Sequence, residues 1–437
     1  MKTVSLTFPL EEAGKYDVLV VGGGLSGCCA AIAASRSGAK TLLAESLPYI
    51  GGNGTTGLPI SSFRAANNPR LVVGGIPLEL LLRLKKKGAL QSNLDQVDWI
   101  CLDYERLQIE MTHMLDEAGV EMITHAPLVS VEHHERRLNA ALLYSKDSLL
   151  RYEAKVFVDS SGDAQLANLA GLPTPVGRQR DSKTQPMTLM FTLGGIEDKH
   201  LMSWAETALK WEELRTKRGG WLNPRLGPAL SGGFPIPGKP GVWSFNVTRI
   251  IVDKGTDSRL LTQAEKQGRY QVEEFVESFL RPHIPGYEKC YLTQIAGRVG
   301  VRETRRIVGH YELQKSDLVA QRKFSDAIAC NSYPVDIHSP DGGSTHYEEG
   351  SFPNGAYYTI PYGCLVARDA DNLLASGRCL SASHEALAAV RVLSAAMATG
   401  EAAGTAAALC SQNGQIASKI DRDILRGRLR EQNAIVD

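Results

Sequence analysis

The chain has 437 residues, more than one compact core comfortably serves, so two intertwined domains are expected. Lys+Arg and Asp+Glu number 48 each, which leaves no global field to gather nucleic acid or an anionic membrane. No stretch reaches the ~18 apolar residues of a membrane span. Residues 1–16 lack the long apolar core and cleavage site of a leader. The expectation is a cytoplasmic protein with no nucleic-acid or membrane partner.

Asp17–Val21 reads as a buried strand, followed by Gly22-Gly23-Gly24-Leu25-Ser26-Gly27 and an Ala-rich helix from about Cys28 to Ser37. Gly38 ends that helix, and a second strand, Thr41–Ala44, runs into Glu45, completing one βαβ unit. Residues 50–75 are Gly- and Asn-rich loop. Residues 103–119 read as an amphipathic helix with Leu107, Met111, Met114 and Leu115 on one face. Short strands are expected over 120–145, and Lys155–Asp159 is a further buried strand ending in Ser160-Ser161-Gly162-Asp163. Residues 175–290 hold four of the five tryptophans and the alternating stretch Val242–Val247, which suggests an inserted substrate-facing domain. A helix from Gln263 to Arg281 is expected there, stopped by Pro282. The last part supplies a strand at Asn372–Ala375, a loop at Gly377-Arg378, and two helices separated near Gly400.

The spacing Gly22-x-Gly24-x-x-Gly27 is weak alone but gains force between an apolar strand and a helix. The first glycine permits the turn, the second lets backbone N–H groups approach a pyrophosphate, and the third lets helix and strand pack closely. Leu25 and Ser26 then open the helix toward the phosphates, whose charge suits its positive end. Glu45, followed by Ser46, stands where an acid binds ribose hydroxyls. A second glycine-rich turn, Gly51-Gly52-Asn53-Gly54, and a third loop at Asp159–Asp163 suit FAD, which runs on past the pyrophosphate, better than NAD. The fold class expected is α/β: a Rossmann-type FAD-binding domain (1–174, resumed over 291–437 with the flavin-facing pocket) and an inserted mixed α/β substrate domain (175–290).

Residues 16–60 resemble the opening of glutathione-reductase-type flavoproteins. Together with Asp159–Ala170, Val299–His310, Tyr333–His338 and Leu373–Leu409, they resemble the broad FAD-dependent oxidoreductase family, related to the fumarate reductase and succinate dehydrogenase flavoproteins. The resemblance covers most of the chain except about 195–285. It implies that Gly22, Gly24, Gly27 and Glu45 hold the ADP half and that Leu128 presents its backbone to adenine. It further implies that Ser160, Gly162 and Asp163 close over the adenosine side, and that Gly51, Gly52 and Asn53 line the path to the isoalloxazine. Gly377-Arg378 falls where relatives place Gly-Asp or Gly-Glu to hold a ribityl hydroxyl. An arginine cannot accept a hydrogen bond, so Arg378 is expected to face the flavin or substrate instead. A helix starting at Glu401 is expected to aim its positive end at the flavin.

Flavin chemistry also needs a group that moves a proton. His338 is the candidate for that role, Arg302 for anchoring a polar or anionic substrate oxygen, and Tyr362 for the same pocket. Each has an ordinary alternative: a structural histidine, a solvated charge cluster at 302–306, a packing tyrosine. The eight cysteines form no CxxC pair and the histidines no recognised ligand spacing, so no metal is expected. No second GxGxxG for a nicotinamide nucleotide is visible. The activity expected is hydride transfer between flavin N5 and a small polar organic substrate, with an outside electron donor or acceptor left open. A flavin monooxygenase and an electron-transfer flavoprotein subunit of a larger complex are the alternatives; homo-oligomerisation is left open.

Overall fold

The computed structural model describes residues 7–91, 99–198, 201–217, 231–341, 345–347 and 352–437. Trp221, one of the four tryptophans placed in the inserted domain, lies outside them.

The first sheet is built on β1 (Leu10–Val21), which pairs in parallel with β2 (Thr41–Ala44) and along most of its length with β6 (Ser148–Asp159). β3 (Glu121–Ile123) adds outside β2. β4 (Leu128–His134) and β5 (Arg137–Ser145) form an antiparallel meander on the first half of β6. Val18–Val21 are buried on both faces of this sheet, which explains their unbroken apolar run. Helix α1 (Leu25–Arg36) covers one face, with α2 (Gly75–Lys86) and α3 (Tyr104–Ala118) beyond it. Asp103 caps α3 by accepting from Glu105 N at 3.1 Å, and Gly119 at φ 74° ends it.

The second sheet is antiparallel, in the order β8 (Ser231–Pro235), β9 (Trp243–Asn246), β7 (Phe191–Gly194), β10 (Tyr291–Ile295). Helix α4 (Trp204–Lys217) and α5 (Ser258–Glu273) back it. Its core is aromatic: Phe191 and Phe245 stack at 5.2 Å between centroids, and Trp211 meets Phe279 edge-on at 4.8 Å. β10 carries this sheet past residue 290, the boundary expected for the insertion. The helix expected over Gln263–Arg281 starts earlier, where Asp257 accepts from Arg259 N at 2.9 Å. It continues through a π-helical segment, Glu274–Leu280, into Arg281–His283. The helix ends at His283, one residue beyond Pro282, so the stop expected at that proline falls within one residue of the observed end.

The chain then returns through β11 (Ala327–Asn331), β12 (Asp336–His338) and β13 (Tyr358–Pro361) to β14 (Leu373–Ala375), which pairs with the second half of β6. Helices α6 (His384–Val390) and α7 (Leu393–Asn413) follow, meeting at 93°. Among the described residues no single helix is long and apolar enough to cross a membrane. The expected break near Gly400 is absent. α7 runs through it, because Gly400 and Gly404 are where α7 crosses α1. A Cβ on Gly400 would lie 2.1 Å from Ser26 O, and one on Gly404 2.0 Å from Ala30 O.

Candidate active site

The glycine loop between β1 and α1 is shaped by contacts that no side chain could share. Gly22 has φ 102° and donates to Ala44 O at 2.8 Å. A Cβ on Gly27 would lie 1.8 Å from Gly22 O. At Gly24 a Cβ would meet nothing within 4 Å, so this side of the loop is open. α1 starts here with no side-chain cap and no acid in its first turn. The N–H groups of Leu25, Ser26 and Gly27 have no partners within the helix, and its positive end points into the open side. Gly51 N donates to Gly23 O at 2.7 Å, zipping the 51–54 turn onto the first loop. Gly52 lies against Gly24, and Arg298, which follows β10, brings Nη2 to 3.5 Å of the Cβ position on Gly52. The Nε of Arg298 is buried without a partner. A cation beside an uncapped helix terminus and a gap at the middle glycine fit a diphosphate. Sequence reading missed Arg298, which lies far from the motif along the chain.

Glu45 is held in place before any ligand arrives. Its Oε2 accepts from Gly23 N at 2.6 Å, and its Oε1 from Leu47 N at 2.8 Å and Ser46 Oγ at 2.9 Å. Ser46 thus supports Glu45, and the carboxylate keeps capacity for one further donor. Gly54 packs on Leu25, and Asn53 accepts from Thr56 through its carbonyl while its side chain lies near Gly300. The segment leading to Leu128 runs beside Glu45: Ala126 N donates to Glu45 O at 3.0 Å and His125 N to Leu47 O at 3.1 Å.

Ser160 at the end of β6 and Ser26 in α1 both hydrogen-bond to Ser376, at 2.7 and 2.8 Å, joining three elements behind the loop. Gly377 at φ 63° donates to Thr399 Oγ1 at 3.2 Å. Arg378, expected to face the flavin or substrate, is anchored within the protein. Its Nη2 pairs with Asp163 Oδ1 at 3.1 Å and its Nη1 donates to Thr304 Oγ1 at 2.9 Å, against Gly162 at φ 79°. The helix end expected at Glu401 is corrected. α7 begins two turns earlier, at Leu393, and Glu401 is a mid-helix residue only 1% exposed, accepting from Ile76 N at 3.1 Å.

Away from the glycine loop, His338 and Arg302 are brought together. His338 Nε2 lies 3.3 Å from Asp336 Oδ2, to which Tyr333 Oη also donates at 3.1 Å. Arg391, at the corner between α6 and α7, approaches the same oxygen at 3.6 Å and donates to Gln185 Oε1 at 3.4 Å. Arg302 donates to Pro186 O at 2.5 Å. Burial, reinforced by Arg302, pushes the His338 imidazole down to about 3, outweighing the pull of Asp336. Burial pushes the Asp336 carboxyl up, but His338, Arg391 and Arg302 outweigh this and hold it below its ordinary range. Burial and the neighbouring Arg391 lower Arg302 to about 9, still protonated at neutral pH. Tyr362 does not join this cluster: it is fully buried and donates to Ala417 O at 3.0 Å beneath Arg422.

Beside the cluster a cleft of about 690 Å³ is lined by Arg178, Arg180, Ile337, Asp341 and His384, among others. His384 Nδ1 lies 2.8 Å from Glu303 Oε2, and Arg306 Nη1 donates to Glu303 Oε1 at 2.7 Å. Gln185 N donates to the same carboxylate at 3.1 Å, so Gln185 links this dyad to Arg391. Sequence reading passed over His384, Gln185 and Arg391: Arg391 is a single charge in an apolar stretch, while Gln185 and His384 sit among other polar residues, so none of them forms a motif.

A family model described as FAD dependent oxidoreductase matches residues 17–429. No curated protein matches the chain. Among solved structures, a geranylgeranyl bacteriochlorophyll reductase-like protein from Thermoplasma acidophilum is 14% identical with a TM-score of 0.49, over 97% of this chain and 84% of that one. A flavin-dependent brominase is 12% identical, TM-score 0.47, over 96% and 84%. The p-nitrophenol 4-monooxygenase of Pseudomonas putida is 10% identical, TM-score 0.46, over 96% and 84%.

Proposed function

The chain belongs to the FAD dependent oxidoreductase family, with FAD as its cofactor, and from that premise we propose that it exchanges a hydride with a small polar organic molecule, His338 taking the accompanying proton. The observation that carries this is the buried contact of a neutral His338 with ionised Asp336 beside the protonated Arg302.

Bound FAD supplies a two-electron acceptor at its ring system. The rest falls to the protein. Donation of Nε2–H to Asp336 fixes the tautomer of His338 and leaves Nδ1 as its unprotonated nitrogen. As a substrate carbon gives up hydride, the proton on its attached oxygen or nitrogen passes to Nδ1. Arg302, held by Pro186 O, positions a polar substrate atom and excludes water from its buried side.

The test is anaerobic reduction of the bound flavin, followed by its visible absorbance, against a panel of hydroxy acids, amines and sugars. His338→Ala is expected to retain FAD and lower the reduction rate by about 10²–10⁴-fold. Because burial holds His338 near 3, kcat/KM should stay level as pH falls from 8 toward 4. An acid limb near the ordinary histidine value, or unchanged turnover in His338→Ala, would remove His338 from the mechanism.

A further inference from the structure

The polar cluster around Asp336 is not balanced. Arg249, Arg302 and Arg391 lie within electrostatic reach of this one carboxylate, while His338 is neutral. That leaves two positive charges in excess in a buried place. The donors are not satisfied either. Arg249 is 8% exposed, yet its Nε and Nη2 have no partner. Gln185 Nε2 is buried and unpartnered, and so is Arg391 Nε. Glu303 does not cancel the excess, because Arg306 and His384 already occupy it.

A buried charged donor left without a partner is strongly unfavourable, so several in one cluster imply a ligand that completes them. The planar guanidinium fork matches the oxygens of a carboxylate or phosphate. One acceptor is also unpartnered: Asp336 Oδ1. It would repel a second anion oxygen but accept from a hydroxyl or amino group. We propose that this cluster is a dianion subsite. Arg249, Arg391 and Gln185 bind the oxygens of a substrate that carries two carboxylates or one phosphate, and Asp336 Oδ1 accepts from a hydroxyl or amine on it. This rests on the placement of the substrate beside His338 proposed above and names its class.

The probes are malonate, its hydroxylated form tartronate, the neutral malonamide, and inorganic phosphate. Each is titrated into the oxidised holoenzyme and followed by flavin absorbance and by thermal melting, so no turnover is needed. Malonate or phosphate is expected to bind saturably, tartronate more tightly than malonate, and malonamide not at all. Arg249→Met is expected to weaken the bound anion by about tenfold or more, with FAD content unchanged, and Arg249→Lys to recover part of it. Preference for phosphate over malonate assigns the subsite to a phosphate; the reverse assigns it to paired carboxylates. Malonate and phosphate binding no better than malonamide overturns the proposal. So does Arg249→Met losing FAD while anion binding persists, since those donors would then serve the cofactor. Anion binding that survives alongside a failed flavin reduction would refute the hydride chemistry and leave the subsite standing.

Discussion

Glu401 is a carboxyl in a helix–helix seam whose only polar contact among those described is the N–H of Ile76. Burial raises it to about 8, so it stays protonated at neutral pH. In the unfolded chain the same group ionises near 4.5. Between these values the unfolded state holds fewer protons than the folded one, so stability falls as pH rises from about 4.5 to 8. Glu401→Gln should flatten that slope and raise the melting temperature at pH 8; an unchanged slope in thermal denaturation would place the carboxyl's proton elsewhere. His338 works in the opposite sense. Its imidazole resists protonation down to about 3, whereas the unfolded one charges near 6.5, so stability falls on acidification through that window. The two groups together bracket the pH of greatest stability.

At the scale of elements, the crossing of α1 and α7 depends on glycine. Gly404→Ala would place a methyl on Ala30 O, and overpacking of this kind costs about 1–3 kcal/mol. Denaturant unfolding of Gly404→Ala and Gly400→Ala should show that loss without a change in slope; wild-type stability would mean the helices can separate freely. The same crossing shows why part of the fold was legible and part was not. The β1–α1–β2 unit announces itself through contiguous signals: apolar runs, three spaced glycines, an acid at a strand end. Gly400, by contrast, reads as a helix stop until its partner helix is known. The real corner falls at Arg391-Val392, which carries neither glycine nor proline. The candidate cofactor half of the site rests on local motifs. The chemical half draws Gln185, Arg249, Arg302, Asp336, His338 and Arg391 from separate segments, and only His338 and Arg302 stood out in the sequence. Tyr362 shared their neighbourhood along the chain but points into the core.

At the scale of the molecule, the candidate cofactor site draws on both sheets. Gly22–Gly27 and Glu45 belong to the first, and Arg298 follows the last strand of the second. Arg298 and the uncapped end of α1 both present positive charge to the open side of the glycine loop. Apoprotein is therefore expected to melt below holoprotein, and saturating FAD at a hundred times its Kd to restore about 2.7 kcal/mol. Calorimetry of the two forms checks this; coincident melts would mean that FAD does not bind the folded chain preferentially.

The open side of Gly24 sets this glycine apart from its neighbours in the motif. Gly22 and Gly27 are required by the polypeptide itself, since a methyl at either would strike backbone. Gly24, at φ −65° and ψ 172°, is in a conformation that alanine adopts without strain. Folding and cofactor affinity are therefore separable at one atom. Gly24→Ala should leave the melting temperature of the apoprotein untouched while weakening FAD binding, measured by equilibrium titration, whereas Gly27→Ala should lose both together.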